Sequence, residues 1–481
     1  MSGAAEGSGI VERGSTADAI EAASPQGPKI VNANELASHG SKALRSAALR
    51  AASAGLAGCD VGRATEETVS TSDRGVSIGG REYPVGPDAR VVVLGSGKAT
   101  LSIAAALERR LGDRLDGGIV AVRAGEEGPP LRRVEVLVAD HPLPSKRSIA
   151  AAQRLVESAD GLGPADLVLA SFTGGSSALA CLPPAGVSIA EKRGLHQLLL
   201  ASGAPIAHVN AVRKHVSAFK GGRLAARIAP ARIVNLTASD VAGDVLDAIT
   251  DPTVVDTSTA DDAITVLRDR GLWDEVPESV RVHLSTPEAR SPDLDGALIE
   301  TVLLATGAGA CDAMVLEAKA AGLRAHIVST TLEGEAREVG RVLTNVAGES
   351  SMRGTPFAPP CLLVGCGGEA TVSLGDDGSF GAGGPNQEAA LAAALALGDG
   401  ARVAAAFVDT DGSDGGTDAA GAIVDGDTLS RARDAGVDIR NSLTGHRSRE
   451  ALECLDDLVL TGPTGTNVND LFVLAVGSAE A

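Results

Sequence analysis

A single lysine stands between an apolar run and a helical pattern in "ARVVVLGSGKATLSIAAALERRL", residues 89–111. The helix dipole disfavours a cation at a helix start, so Lys98 in that place points to work on an anionic ligand. The loop is not a P-loop, because the GxxxxGK[ST] spacing is absent. Gly95 and Gly97 also lack the third glycine of GxGxxG. A second stretch, "SFTGGSSALA" (171–180), offers successive N–H donors at Gly174 and Gly175 and the hydroxyls of Ser176 and Ser177. That is the make-up of a phosphate cradle. It does not meet the GxSxG spacing of a nucleophile elbow.

The densest basic patch is "HVNAVRKHVSAFKGGRLA", residues 208–225. Asn210, Arg213, Lys214, Ser217 and Lys220 recur there at helical spacings, and Arg213, Ser217 and Lys220 are expected to share a helix face. This reads as a polyanion site in which the planar guanidinium of Arg213 could grip a carboxylate or phosphate with two parallel bonds. Two turns are acidic: "SDVAGD", with Asp240 and Asp244, and "VDTDGSDGGTDAAG", with Asp409, Asp411, Asp414 and Asp418. The second has the composition of a calcium loop, but Ala420 stands where the closing glutamate belongs. Asp240, Asp244 and Asp411 are the metal candidates, because aspartates at strand ends suit Mg2+ held with waters and phosphate oxygens. Finally, "SFGAGGPNQEAALAAALALG" (379–398) sets Pro385 at a helix start after three glycines. The free N–H groups of such a turn are a natural place for an anion, with Asn386, Gln387 and Glu388 as polar neighbours.

The elements that must position these groups alternate along the chain: an apolar run, a glycine or aspartate turn, then an amphipathic helix. That order implies an α/β fold with a mostly parallel sheet and helices on both faces. Each polar, glycine-rich stretch falls where a strand ends, the place where open parallel sheets bind ligands. A flexible tail is expected over residues 1–34, one α/β domain over 35–300 and a second over 301–481.

The 481 residues are 44% hydrophobic but only 2% aromatic, so the core must be built from Ala, Val, Leu and Ile. A net charge of -20 argues against a nucleic-acid surface. Among the 42 basic residues there are 34 Arg and eight Lys. An acidic, lysine-poor surface suits a salt-rich cytoplasm, although a GC-rich genome would by itself explain the scarcity of Lys. The six cysteines form no CxxC pair and read as buried free thiols of a reducing compartment. With no apolar leader and no run of about 18 apolar residues, a cytoplasmic protein without a membrane span is expected. A homodimer is compatible with this reading.

Lys98 in "GSGKA", "TGGSSALACLP", "NAVRKHVSAFKGGRLA", "SDVAGD", "GGEATV" with Glu369, "GAGGPNQEAAL", "DTDGSDGGTDAAGAIVD" and "TGTNVNDL" with Asn467 occur in this order. Together they resemble the type II glycerate kinases, the glycerate 2-kinase family with a MOFRL C-terminal domain, from about residue 40 to 475. The resemblance implies a Rossmann-like first domain, a MOFRL-type second domain and an active site in the cleft between them. It implies transfer of the ATP γ-phosphoryl to the 2-hydroxyl of D-glycerate with a divalent metal such as Mg2+, and it makes Lys98 the essential lysine. Glu369, Asn386, Gln387, Glu388 and Asn467 become contacts to glycerate or nucleotide. One aspartate would carry Mg2+ or accept the hydroxyl proton, and the residues do not decide which. Where many members of the family have an arginine in "GGRNQE", this chain has Pro385, and Ser145 replaces the aspartate of "HPxPD". Two other readings remain: a hydroxypyruvate reductase, with Asp116 about 20 residues after the first glycine turn, and a non-catalytic binder of sugar acids or nucleotides.

Overall fold

The computed structural model describes residues 27–126, 128, 130–244, 252–374 and 380–478. A small antiparallel meander comes first: β1 (Val69–Ser72), β2 (Gly75–Ile78) and β3 (Arg81–Pro84). Six apolar runs then form β4 (Val91–Ser96), β5 (Gly117–Arg123), β6 (Val134–Ala139), β7 (Leu167–Phe172), β8 (Arg232–Ala238) and β9 (Ile299–Ala305). They make one sheet in the order β6-β5-β4-β7-β8-β9, with every neighbouring pair parallel. Alternate residues of its strands enter different cores. Val91, Val93, Leu167, Leu169 and Val234 pack on one side, and Leu94, Val168, Ala170 and Ile233 on the other. Both faces are therefore covered, which is why these strands read as continuous apolar runs rather than alternating ones. Numbered along the sheet's own chain order, the strands run 3-2-1-4-5-6, and the order reverses between β4 and β7.

The second sheet contains β10 (Arg324–Leu332), β11 (Cys361–Gly367), β12 (Val403–Asp409), β13 (Gly421–Asp425), β14 (Leu458–Val459) and β15 (Asp470–Val476). Its order is β10-β11-β15-β12-β13-β14. Here the βα alternation misleads, because only β10 and β11 pair in parallel. The loop between β12 and β13 is too short for a crossover helix and forces an antiparallel return, and β15 inserts antiparallel between β11 and β12. Helix Pro385–Leu397 packs on this sheet beside helix Ala336–Arg353, which also touches the sheet, and is buried over most of its length. Small residues permit the approach: a Cβ on Gly340 would sit 2.2 Å from the carbonyl oxygen of Ala389. An aromatic-poor core is thus packed by bringing backbones close together.

Helix Lys42–Gly58 precedes the first sheet in sequence but packs on β12, β15 and helix Gly307–Ala320 of the second. One apolar cluster runs from β4 and β7 through this helix to β11 and β15, so the two sheets share a core. We propose that the second structural unit comprises this helix together with residues 306–476, rather than beginning at 301. Of the expected tail, residues 1–26 lie outside the described residues. By residue 30 the chain is anchored, with Ile30 buried, Val31 N–H donating to Leu460 O at 2.8 Å and Asn32 Nδ2 donating to Leu458 O at 2.8 Å. Among the described residues no helix is long and apolar enough to cross a membrane. Five of the six cysteines are buried free thiols, and Cys454 is exposed.

The Lys42–Gly58 helix is fastened by Arg45, which is fully buried. Its Nε lies 2.6 Å from Asp425 Oδ2 and its Nη2 2.7 Å from Asp457 Oδ1. Removing one member of such a group strands buried charge, at a cost of about 3–5 kcal/mol. Arg45→Met is expected to lower unfolding free energy by that amount in urea titrations, whereas the exposed pair partner Arg63→Met should change it by less than about 0.5 kcal/mol.

Candidate active site

The loops after β4 and β7 meet at the point where the strand order reverses. Lys98 N–H donates to Gly174 O at 2.9 Å, Ala99 N–H to Thr173 Oγ1 at 3.2 Å and Gly97 N–H to Ala121 O at 3.2 Å. A Cβ on Gly97, at φ +133°, would fall 2.2 Å from Thr173 Oγ1, so this glycine serves loop–loop packing rather than ligand approach. A Cβ on Gly95 would likewise meet Ser171 O at 2.4 Å. The donors after β4 are therefore spent within the protein. Those of Gly174 and Gly175 after β7 donate to no other group among the described residues. Ser176 turns inward to Ser96 at 2.6 Å, while Ser177 faces a cavity. Of the two glycine loops, the one after β7 is the one that keeps unbonded N–H donors.

Across the cleft, the ends of β11 and β12 and the start of β15 bring together Glu369, Asp409, Asp411 and Asp470. Lys98 Nζ reaches over and pairs with Asp411. Burial works against the lysine's charge, but Asp411, Asp409 and Glu369 outweigh it and hold its proton above the ordinary range. Burial also pushes Asp409 well up, with the Asp411 and Asp470 carboxylates adding to the effect. Burial lifts Asp470 to about 7 against hydrogen bonds from Ala370 N–H and Asn386. A Cβ on Gly174 would lie 2.4 Å from Asn467 Nδ2 and 2.5 Å from Asp240 Oδ2, so only glycine lets these loops close together. Asn469 Nδ2 donates to Asp240 O, which makes "TGTNVND" a latch between the two sheets.

The anion expected at the start of helix Pro385–Leu397 turns out to be part of the protein. Asp414 accepts from Asn386 N–H at 3.0 Å and from Gln387 N–H at 2.9 Å. Asn386 Nδ2 also bridges to Asp470 Oδ1 at 2.6 Å. Burial raises Asp414 to about 6 even though these donors stabilise its charged form. Glu388 is 2% exposed and pairs with Arg337 at 2.5 Å and His446 at 3.0 Å. Asn386, Gln387 and Glu388 thus support the acidic edge from behind instead of forming an open wall. Pro385 lines a cavity of about 330 Å3 with Phe407, Phe472 and Asp470.

The basic stretch divides. Helix Ile206–His215 ends before Ser217 and Lys220, so the expected shared helix face does not form. The chain turns instead, with Ser217 Oγ accepting from Lys220 N–H at 3.1 Å. Arg213 and Lys220 nevertheless converge on a cavity of about 420 Å3, together with Ser177, Lys192 and His196. Asn210 accepts from Arg213 Nη1 at 3.3 Å. Lys214 leaves this group and pairs with buried Asp256 at 2.5 Å.

The metal candidates also separate. Asp411 is held by Lys98, while Asp240 and Asp244 border another cavity, of about 310 Å3, beside Gly307. Among the described residues no three His, Cys, Asp or Glu side chains are grouped to hold a metal ion. Asp116 precedes β5 and accepts from Val91 N–H at 2.8 Å. It therefore lies at the opposite edge of the sheet from the cleft and cannot meet a ribose there. Sequence reasoning did not single out Asp470 and His141, although both stand in stretches quoted above, nor Lys192 and His196. His141 lies against Gly175, and burial with Lys98 nearby lowers it to about 4.

A doubly wound sheet and a mixed sheet facing each other across a charged cleft define a two-unit α/β enzyme with unbonded backbone N–H groups at the switch point. Residues 47–285 match a domain of unknown function, DUF4147, and residues 361–470 match the MOFRL family. A glycerate 2-kinase of Pyrococcus horikoshii is 40% identical over 442 residues, covering 90% of this chain and 98% of that one. A protein of Agrobacterium vitis with the provisional name hydroxypyruvate reductase is 42% identical over 416 residues, covering 86% of this chain and 93% of its own. The crystal structure of glycerate kinase from Thermotoga maritima superposes with a TM-score of 0.75 at 36% identity, over 89% of this chain and 97% of that one. The chain belongs to the glycerate kinase family that joins DUF4147 to MOFRL.

Because Asp414 and Asp470 titrate higher in the fold than in the unfolded chain, the folded state binds more protons between about pH 4 and 7. Their contribution to stability is greatest at the acid end and is lost as pH rises through that window. Asp470→Asn is expected to shrink the difference in urea midpoint between about pH 5 and about pH 8, relative to wild type. An unchanged difference would show that burial does not raise this carboxyl.

Proposed function

We infer that the chain transfers the γ-phosphoryl group of ATP to the 2-hydroxyl of D-glycerate, giving 2-phosphoglycerate. The observation that carries this reading is Lys98, placed at the switch point beside a loop with free N–H donors and facing an acidic edge. Phosphoryl transfer passes through a loose transition state and needs positioning and charge neutralisation more than covalent chemistry. Lys98 supplies the mobile positive charge, exchanging Asp411 for an incoming phosphoryl oxygen. The Gly174 and Gly175 N–H groups hold an anionic oxygen without adding mobile charge. Arg213 grips the acid's carboxylate. An aspartate of the acidic edge in its ionised form takes the hydroxyl proton, while Asp411 turns to the metal side.

The donor set fits Mg2+ carried in with ATP. Asp411 is a hard oxygen donor at the cleft and Asp240 approaches it beside Gly174, so that an ion bound through them would keep waters and phosphate oxygens as its other ligands. Mg2+ supplies charge neutralisation on the phosphates. With Pro385 in place of the family's arginine, positive charge comes from Lys98 and, in the adjoining cavity, from Lys192, Arg213 and Lys220. A reductase is disfavoured because the N–H groups that would meet a dinucleotide pyrophosphate after β4 are already bonded and Asp116 is at the far edge. Absorbance at 340 nm with NADH and hydroxypyruvate, run beside ADP release from ATP and D-glycerate, separates the two. Turnover in the first assay alone would overturn the kinase.

Lys98→Ala is expected to lower kcat for ADP release by about 100-fold or more, the scale of losing one preorganised charge at the transition state. Retention of more than about a tenth of the activity would remove Lys98 from the mechanism.

A further inference from the structure

The cavity of about 420 Å3 behind the β7 loop is more cationic than a monocarboxylate requires. Lys192, Arg213 and Lys220 line it, and no Asp or Glu is among the described lining residues. Burial pulls Lys192 down to about 8 and Arg213 to about 10, and no carboxylate is among the groups acting on either. Among the described residues Lys192 Nζ donates to a neutral acceptor, the carbonyl of Val216. His196 lies between these cations, and burial together with Arg213, Lys192 and Lys220 lowers it to about 4. It is therefore neutral at physiological pH and able to accept or donate a hydrogen bond. Leu195, Leu199 and Pro142 complete an apolar side suited to a short carbon chain. Ser177, from the loop after β7, joins this cavity to the switch point.

Such a cavity lowers its own energy most by taking an anion with more than one charge. D-glycerate brings one negative charge. Its phosphorylated product brings a carboxylate and a phosphate, the latter carrying about 1.5 to 2 charges at neutral pH. We propose that Lys192 and His196, with Arg213 and Lys220, form a pocket that binds a phosphorylated three-carbon acid through both of its anionic groups, so that product is retained more tightly than substrate. This deepens the glycerate kinase reading and rests on it. Lys192 is the discriminating residue, because it lies outside the motif that carries Arg213 and Lys220 and meets the second charge. The enzyme is thereby throttled by its own product, which rebinds in competition with D-glycerate as it accumulates.

Titration calorimetry on the full chain without nucleotide tests this with D-glycerate, 2-phosphoglycerate, inorganic phosphate and ADP as probes. In wild type, 2-phosphoglycerate should bind at least about 10-fold more tightly than D-glycerate, and ADP should not displace it. Lys192→Met should weaken 2-phosphoglycerate by about 10-fold or more and D-glycerate by less than about threefold, and Lys192→Arg should restore most of the difference. Equal binding of the two acids by wild type, displacement by ADP, or a ratio unchanged in Lys192→Met would each overturn the pocket. The wild-type ranking does not depend on any variant folding. If the ranking holds while ATP and D-glycerate release no ADP, the pocket stands and the kinase reading fails. If ADP is released but the acids bind alike, the reverse is true.

Discussion

Positive charge is scarce at the edge where the two sheets meet, and the site is organised around that scarcity. Asp409, Asp411, Asp470 and Glu369 gather at the ends of β11, β12 and β15, and Lys98 crosses from the other sheet to pair with Asp411. Burial keeps Asp409 and Asp470 close to their protonated forms, so the edge need not carry its full formal charge. The same contact ties the two sheets together.

The backbone makes this arrangement possible at a few close approaches. Gly174 leaves room for Asn467 and Asp240, and Gly384 leaves room for Asp414, whose carboxylate would lie 2.4 Å from an added Cβ. Asp414 then occupies the start of helix Pro385–Leu397, where an outside anion was the natural expectation. The helix dipole thereby stabilises a buried carboxylate and sets Asn386 as the bridge to Asp470. A stretch whose local chemistry announces ligand binding instead furnishes the foundation of the acidic edge.

Family membership and geometry meet at the loop after β7. Relatives are glycerate kinases, and the free donors of Gly174 and Gly175 lie between Lys98 and the cationic cavity of Arg213 and Lys220. The loop after β4 resembles a nucleotide turn in sequence, but its donors are consumed by β5 and β7. A glycine pattern alone therefore said little about which loop receives an anion. What decides it is the list of backbone groups already satisfied.

The sequence by itself determined the elements and their class. Apolar runs of Val, Ile, Leu and Ala with glycine turns demand buried strands, and Ser145 and Ser188 cap the helices that follow them. The placement of Lys98 at a strand end, the turn of Gly174 and Gly175 and the basic character around Arg213 were all readable, because each depends on residue type at a fixed local spacing. Only the tertiary structure decided partnership. It antiparallels most of the second sheet, carries helix Lys42–Gly58 over to that sheet through Arg45, and turns Lys214 to Asp256 while bringing Lys192 beside Arg213. Local spacing records what a side chain can do. Which charge it meets depends on residues hundreds of positions away, and those contacts exist only once the two sheets have packed against each other.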